Sequence, residues 1–195
     1  MVEDQNTLKE DSSPPGDRKS ANTLNLRVFA ILKASLQVAV VAVVLFVLIV
    51  TFVVQGYCVS GNCMDPNLRT GERILGSKIV YRFKSLARGD IVVFKYPEDP
   101  NKIFIKRIIG LPGETIEMRA GQVYINGNPL REPYLLHDPH GSYGPEQIKL
   151  GYLFVMGDNR DQSNDSRYWG ELPIKNVQAK AWIRYWPVNS VELVK

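Results

Sequence analysis

The chain has 195 residues, with 24 Lys and Arg against 20 Asp and Glu and a formal net charge of +4. That weak surplus, with no basic block or arginine stripe, gives no footprint for nucleic acid, and a hydrophobic share of 45% excludes a disordered chain. Two cysteines, Cys58 and Cys63, are too few for a disulfide scaffold, and no pair of CxxC motifs exists to hold a structural zinc.

Residues 1–24 are polar, with Pro14-Pro15-Gly16 amid Ser, Asp and Lys, and read as a disordered tail. From Ala34 to Val54 the chain is ASLQVAVVAVVLFVLIVTFVV, with no charge, Pro or Gly. As a helix these residues span ~31 Å, the hydrocarbon thickness of a bilayer. Their many Val residues would favour strand in water. In lipid the backbone must satisfy its own hydrogen bonds, so helix wins. The run is too long for the apolar core of a cleaved signal peptide, and Phe52, Val53, Val54, Gln55 and Tyr57 crowd its end where a cleavage site needs small residues. An uncleaved anchor fits better. Arg18, Lys19, Arg27 and Lys33 precede the span, and Arg69 and Arg73 are the nearest cations after it. This bias puts the N-terminus in the cytoplasm and makes a single-pass protein of the cell membrane. The expected organisation is a largely disordered cytoplasmic tail over 1–33, a transmembrane helix over 34–55 and a β-rich domain over 56–195 on the outer face.

Beyond the span, short apolar runs alternate with turn residues. Ile91 to Phe94, Lys102 to Ile109, Val123 to Ile125, Tyr152 to Met156 and Ala179 to Trp186 are predicted strands. Asn126-Gly127 predicts a two-residue hairpin turn, since a type I′ turn needs positive φ at both centres. No helical pattern alternates with these strands, so a parallel α/β sheet is not expected. The predicted class is mainly β: an antiparallel, partly closed β-domain behind a single N-terminal transmembrane helix.

Three segments concentrate polar residues among turn formers: Gly61-Asn62-Cys63-Met64-Asp65-Pro66-Asn67-Leu68, Ile105 to Glu114 with Lys106-Arg107 near its start, and Gly157 to Arg167, reading GDNRDQSNDSR. With Arg88-Gly89-Asp90-Ile91-Val92-Val93-Phe94 they form an ordered set that resembles the boxes of bacterial type I signal peptidases (leader peptidases). That family carries G-x-S-M-x-P-T-L, R-G-D-[IV]-V-V-F, K-R-[IV]-[IV]-G-x-P-G-[DE] and G-D-N-R-x-x-S-x-D-S-R. The resemblance covers about residues 34–187 and departs twice in the first box, with Cys63 at the family's serine and Asn67 at its threonine.

The resemblance implies a Cys63–Lys106 pair in place of a Ser–Lys dyad. It implies that Ser163 orients the lysine, that Asp165 and Arg167 support the site, and that Asp158 and Arg160 are structural. Gly61, Met64 and Pro66 would belong to the substrate-binding segment, and the Cys63 backbone N–H would donate into an oxyanion hole. Gly61 stands where some relatives add a serine hydroxyl to that hole. The substrate would be a preprotein with small residues at positions −1 and −3 before the cut, and the lipid bilayer would be the other partner. No metal or organic cofactor is implied.

The chemistry is credible on physical grounds. A lysine is a base only when unprotonated, and apolar surroundings disfavour an ammonium. Ile103, Phe104, Ile105, Ile108 and Ile109 can wall Lys106 in this way, so a neutral amine can take the thiol proton of Cys63. A thiol needs less help than a hydroxyl. The other reading is an inactive, membrane-anchored homologue that binds exported chains. A self-cleaving repressor protease shares Ser–Lys chemistry, but the membrane span argues against it. His137 and His140 are spaced HxxH, yet Asp138-Pro139 separates them, so no metal site is expected.

Overall fold

The computed structural model describes residues 17–78 and 86–194. Helix α1 runs Asp17–Phe52, and its segment Arg27–Leu48, 22 residues, is long and apolar enough to cross a membrane. Every side chain from 27 to 48 is exposed, so this is not the core helix of a soluble domain. The helix starts inside the segment expected to be a disordered tail. Arg18, Lys19, Ala21, Leu24 and Leu26 favour helix, and a helix nucleated by the apolar run extends at one bond per residue fixed. Residues 1–16 of that tail lie outside the described residues. At the other end the apolar run outlasts the helix, which stops at Phe52, while Val54 pairs with Ser77.

Strands then follow in chain order: β1 (Val54–Cys58), β2 (Arg73–Ser77), β3 (Ile91–Lys95), β4 (Ile103–Gly110), β5 (Thr115–Arg119) and β6 (Gln122–Ile125). After them come β7 (Asn128–Pro129), β8 (Tyr143–Gln147), β9 (Tyr152–Met156), β10 (Leu172–Pro173), β11 (Val177–Trp186) and β12 (Glu192–Leu193). The larger sheet has the order β1-β2-β11-β3-β4-β9-β10, with β12 on β11; the smaller is β7-β6-β5-β8. All their pairings are antiparallel. Among the described residues the larger sheet does not close on itself. The expected mainly β, antiparallel, partly closed domain is therefore what this sequence forms. The hairpin turn is also as read: Asn126 has φ 51° and Gly127 φ 79°, between paired Ile125 and Asn128.

Strand β3 shows why a continuous apolar run makes a central strand here. Ile91 and Val93 enter one core cluster with Val59, Met64, Leu68 and Ile74. Val92 and Phe94 enter another, with Ile108, Leu153 and Val155. Both faces are covered, so alternation with polar residues is not needed. Strand β4 pairs with β3 along Ile103 to Arg107, whereas β9 joins its other edge only from Arg107 onward. Lys106 thus sits on β4 just before both edges become occupied.

Candidate active site

Cys63 lies in the turn after β1, held by the residues that follow it. Met64 and Leu68 are fully buried, and the Leu68 N–H donates to the Met64 carbonyl at 2.9 Å. This fixes the loop by its apolar side and leaves Cys63 half-buried at its rim. The Cys63 carbonyl accepts the Asn159 N–H at 3.0 Å, joining the first polar segment to the third.

Lys106 is 3% exposed, and its Nζ lies 3.0 Å from Cys63 Sγ and 3.1 Å from the Ile105 carbonyl. The Cys63 thiol also reaches the Ile105 carbonyl, at 3.9 Å. The amine stands 5.3 Å from the centre of the Phe104 ring. A buried amine and a thiol in hydrogen-bond contact can exchange a proton, which is the first requirement of nucleophilic catalysis. Both border a groove of about 450 Å³, walled by Tyr57, Val59, Ile74, Val93 and Ile105. Cys58 borders the same groove, and both thiols are free.

The third segment divides by burial. Ser163 and Asp165 both receive the Gly157 N–H, at 3.1 Å to the hydroxyl and 3.0 Å to the carboxylate. Asp165 is fully buried and grips Arg167 twice, Oδ1 to Nε at 2.8 Å and Oδ2 to Nη2 at 2.9 Å. It also caps the short helix α2 (Ser166–Trp169) by accepting the Arg167 N–H. Asp158 meets Arg107 through two 2.7 Å bonds, both side chains being almost wholly buried. Arg160 pairs with Glu132, also buried. The Tyr134 ring lies 4.1 Å from the Arg107 guanidinium, and its hydroxyl donates to Glu132 at 2.6 Å. Burial, and next the charge of Glu132, push the Tyr134 phenol well above the ordinary tyrosine range, so it stays a neutral donor.

The structure thus brings Cys63 to Lys106, and sets Ser163, Asp165, Arg167, Asp158 and Arg160 behind them as one bonded scaffold. The Ser163 hydroxyl accepts the Gly157 N–H, and the hydrogen bonds of the Lys106 amine among the described residues go to Cys63 and to the Ile105 carbonyl. Gly61, Met64 and Pro66 do not border the groove. Gly61 has φ +86° with open space beside it, Met64 packs in the core, and Pro66 borders a separate polar cavity of about 400 Å³. His140 is exposed and lies 3.4 Å from Asp161. Sequence reasoning missed Glu132 and the pairing of Arg107 with Asp158, because partners 28 and 51 residues apart leave no local signal. It also missed Asn164 and Tyr57 at the groove.

Residues 32–186 match the family model described as signal peptidase, peptidase S26. The chain belongs to the signal peptidase family. It is 43% identical over 155 residues to a signal peptidase I of Leptolyngbya laminosa, covering 76% of either chain. It is 41% identical over 161 residues to a probable signal peptidase I-2 of Synechocystis, covering 80% of this chain and 73% of that one. With a signal peptidase I of Bacillus licheniformis the identity is 37% over 186 residues, covering 90% and 97%. Within this signal peptidase family member, the matched region includes the apolar helix from Leu32, Cys63, Lys106 and the whole Gly157–Arg167 segment.

Proposed function

We propose that this chain is a membrane-anchored endopeptidase that removes signal peptides from exported preproteins, with Cys63 as nucleophile and Lys106 as general base. The observation that carries the reading is the 3.0 Å contact between the Lys106 amine and the Cys63 sulfur at the wall of an apolar groove. Relatives named signal peptidase I supply the reaction class, cleavage of a signal peptide.

The Lys106 amine takes the thiol proton as sulfur attacks the scissile carbonyl. The Cys63 N–H faces the oxyanion of the tetrahedral intermediate. As the C–N bond breaks, the Lys106 ammonium returns its proton to the leaving amine, the new N-terminus of the mature protein. A thioester to the signal peptide remains. Lys106 then deprotonates water, which attacks the thioester; the C–S bond breaks, and the departing thiolate takes the proton back from the Lys106 ammonium, restoring the thiol and amine. Ser163, Asp165 and Arg167 fix the segment behind the pair, and Asp158 and Arg160 anchor it to β4 and to Glu132. An extended substrate adds as a strand along Ile103 to Ile105, whose edge away from β3 precedes the start of β9 pairing. Shallow apolar walls there suit small side chains at positions −1 and −3. Residues 34–55 anchor the enzyme, 1–33 face the cytoplasm and 56–195 work on the outer face, as the cation bias around the span favours.

The test is cleavage of a model preprotein by the purified full chain in detergent, read by sequencing the new N-terminus. The wild-type chain cuts and Cys63→Ala does not. Undiminished cutting by Cys63→Ala overturns the assignment, and a wild-type chain that binds but never cuts leaves a binding homologue.

A further inference from the structure

Asn67 occupies the position where the first box departs from its family's threonine, and its side-chain NH2 is engaged twice. Its Nδ2 donates to Asp158 Oδ2 at 2.8 Å and to the Tyr134 carbonyl at 2.9 Å. Asp158 is the carboxylate that Arg107 grips through Nε and Nη2, and Arg107 follows Lys106 on β4. Asn159, the next residue, holds the Cys63 carbonyl. The loop that carries the thiol is therefore tied to residues 158 and 159 at two points, Cys63 and Asn67. Those residues are tied in turn to the strand that carries the amine.

We infer that Asn67 is a positioning residue: it sets the separation of the Cys63 thiol and the Lys106 amine by cross-linking the nucleophile loop to the Arg107–Asp158 pair. This rests on the reading of Cys63 and Lys106 as the reacting pair. The loop does not depend on Asn67 for its fold, because Met64 and Leu68 bury their side chains in the core and Arg184 holds the Asn67 carbonyl at 3.2 Å whatever the side chain. What Asn67 adds is direction. The apolar anchors fix depth without register, whereas a hydrogen bond to a clamped carboxylate fixes both. A threonine has one hydroxyl donor and serves Asp158 or Tyr134, not both.

The experiment uses the full chain in detergent with Cys58→Ser, so that Cys63 is the sole thiol. Asn67→Leu keeps the branched shape at a larger volume and removes both donors; Asn67→Thr keeps one. The first readout is the pH profile of Cys63 alkylation by iodoacetamide, which senses the neighbouring amine without any cleavage. The second is kcat and KM on a preprotein. Asn67→Leu moves the alkylation profile toward that of Lys106→Met and lowers kcat about 10- to 100-fold with KM unchanged. Asn67→Thr falls between, and carries the test alone should Asn67→Leu fail to fold. A folded variant with the wild-type alkylation profile overturns the inference, whatever its kcat. Failure of the nucleophile reading has a different signature: a wild-type chain that still cleaves after complete alkylation of Cys63.

Discussion

Gly157→Ala is the sharpest perturbation of the site that leaves every polar group in place. A Cβ at Gly157 would stand 2.3 Å from Ser163 Oγ, 2.6 Å from Ser163 Cβ and 2.4 Å from the Cys63 carbonyl oxygen. Turning the serine hydroxyl relieves only the first of these. The carbonyl is backbone, and to reach the 3.4 Å of ordinary contact it must retreat by about 1 Å. That retreat stretches its bond from Asn159 and moves the residue that bears the thiol. A displacement of about 1 Å in a reacting group costs on the order of 100-fold in rate, equivalent to about 2.7 kcal/mol of barrier. Overpacking costs about 1–3 kcal/mol of stability besides. The assay is kcat on a preprotein beside a melting curve. Gly110→Ala is the control, since its Cβ meets chiefly the Ile148 Cδ1 atom, 2.2 Å away in a core cluster that does not contain Cys63. Gly110→Ala loses stability and keeps kcat, whereas Gly157→Ala loses both. A folded Gly157→Ala enzyme with wild-type kcat refutes the claim that this close approach sets the nucleophile's place.

Lys106→Arg abolishes cleavage while the chain stays folded, because a guanidinium remains protonated and cannot act as a base; measurable turnover removes Lys106 from the mechanism. Cys63→Ser restores the residue the family pattern carries and retains cleavage, read by the same N-terminal sequencing; alkylation stops the Cys58→Ser enzyme and spares the Cys58→Ser/Cys63→Ser double variant, which has no thiol left at the groove. Asp158→Ala removes the carboxylate that neutralises the buried Arg107 charge and lowers stability by about 3–5 kcal/mol in a denaturant titration, far more than removal of the exposed Lys102–Asp99 pair. The raised phenol of Tyr134 keeps its proton in the folded state after an unfolded tyrosine has lost its own near pH ~10. Its contribution to stability is thus complete below that pH and declines above it, and Tyr134→Phe flattens this part of the alkaline melting profile.

The parts of the fold that were legible are those with a local physical cause. β3 is buried on both faces and reads as an unbroken apolar run, and Asn126-Gly127 must turn because only such residues accept positive φ twice in succession. Several strands escaped notice, among them β2 and β5 inside their sheets and β1 and β8 at the edges, and the edge strands have a plain cause. β1 reads VQGYC and β8 reads YGPEQ, with Gly and polar residues at exposed positions. Neither has an apolar alternation to detect. They are strands because a neighbour offers backbone partners, and Pro145 is tolerated because an edge strand has donors to spare.

The candidate site divides along the same line. Cys63 and Lys106 are 43 residues apart, and no spacing rule joins them. The ordered boxes named them, and the structure adds the contact. The charged run from Asp158 to Arg167 looks from its sequence like a solvated turn that pairs with itself, and one pair, Asp165 with Arg167, does so. Asp158 and Arg160 instead face inward to Arg107 and Glu132, while Asp161 and Asn164 stay exposed. A buried charge must find its partner inside, so the direction each residue faces is settled by what stands opposite it in the fold. Asn67 follows the same rule. Its departure from the family pattern is visible in the sequence, but its meaning depends on Asp158 and Tyr134, 91 and 67 residues away. On the proposed reading, the substitution at Cys63 and the one four residues later at Asn67 bear on one geometry, the distance from sulfur to amine.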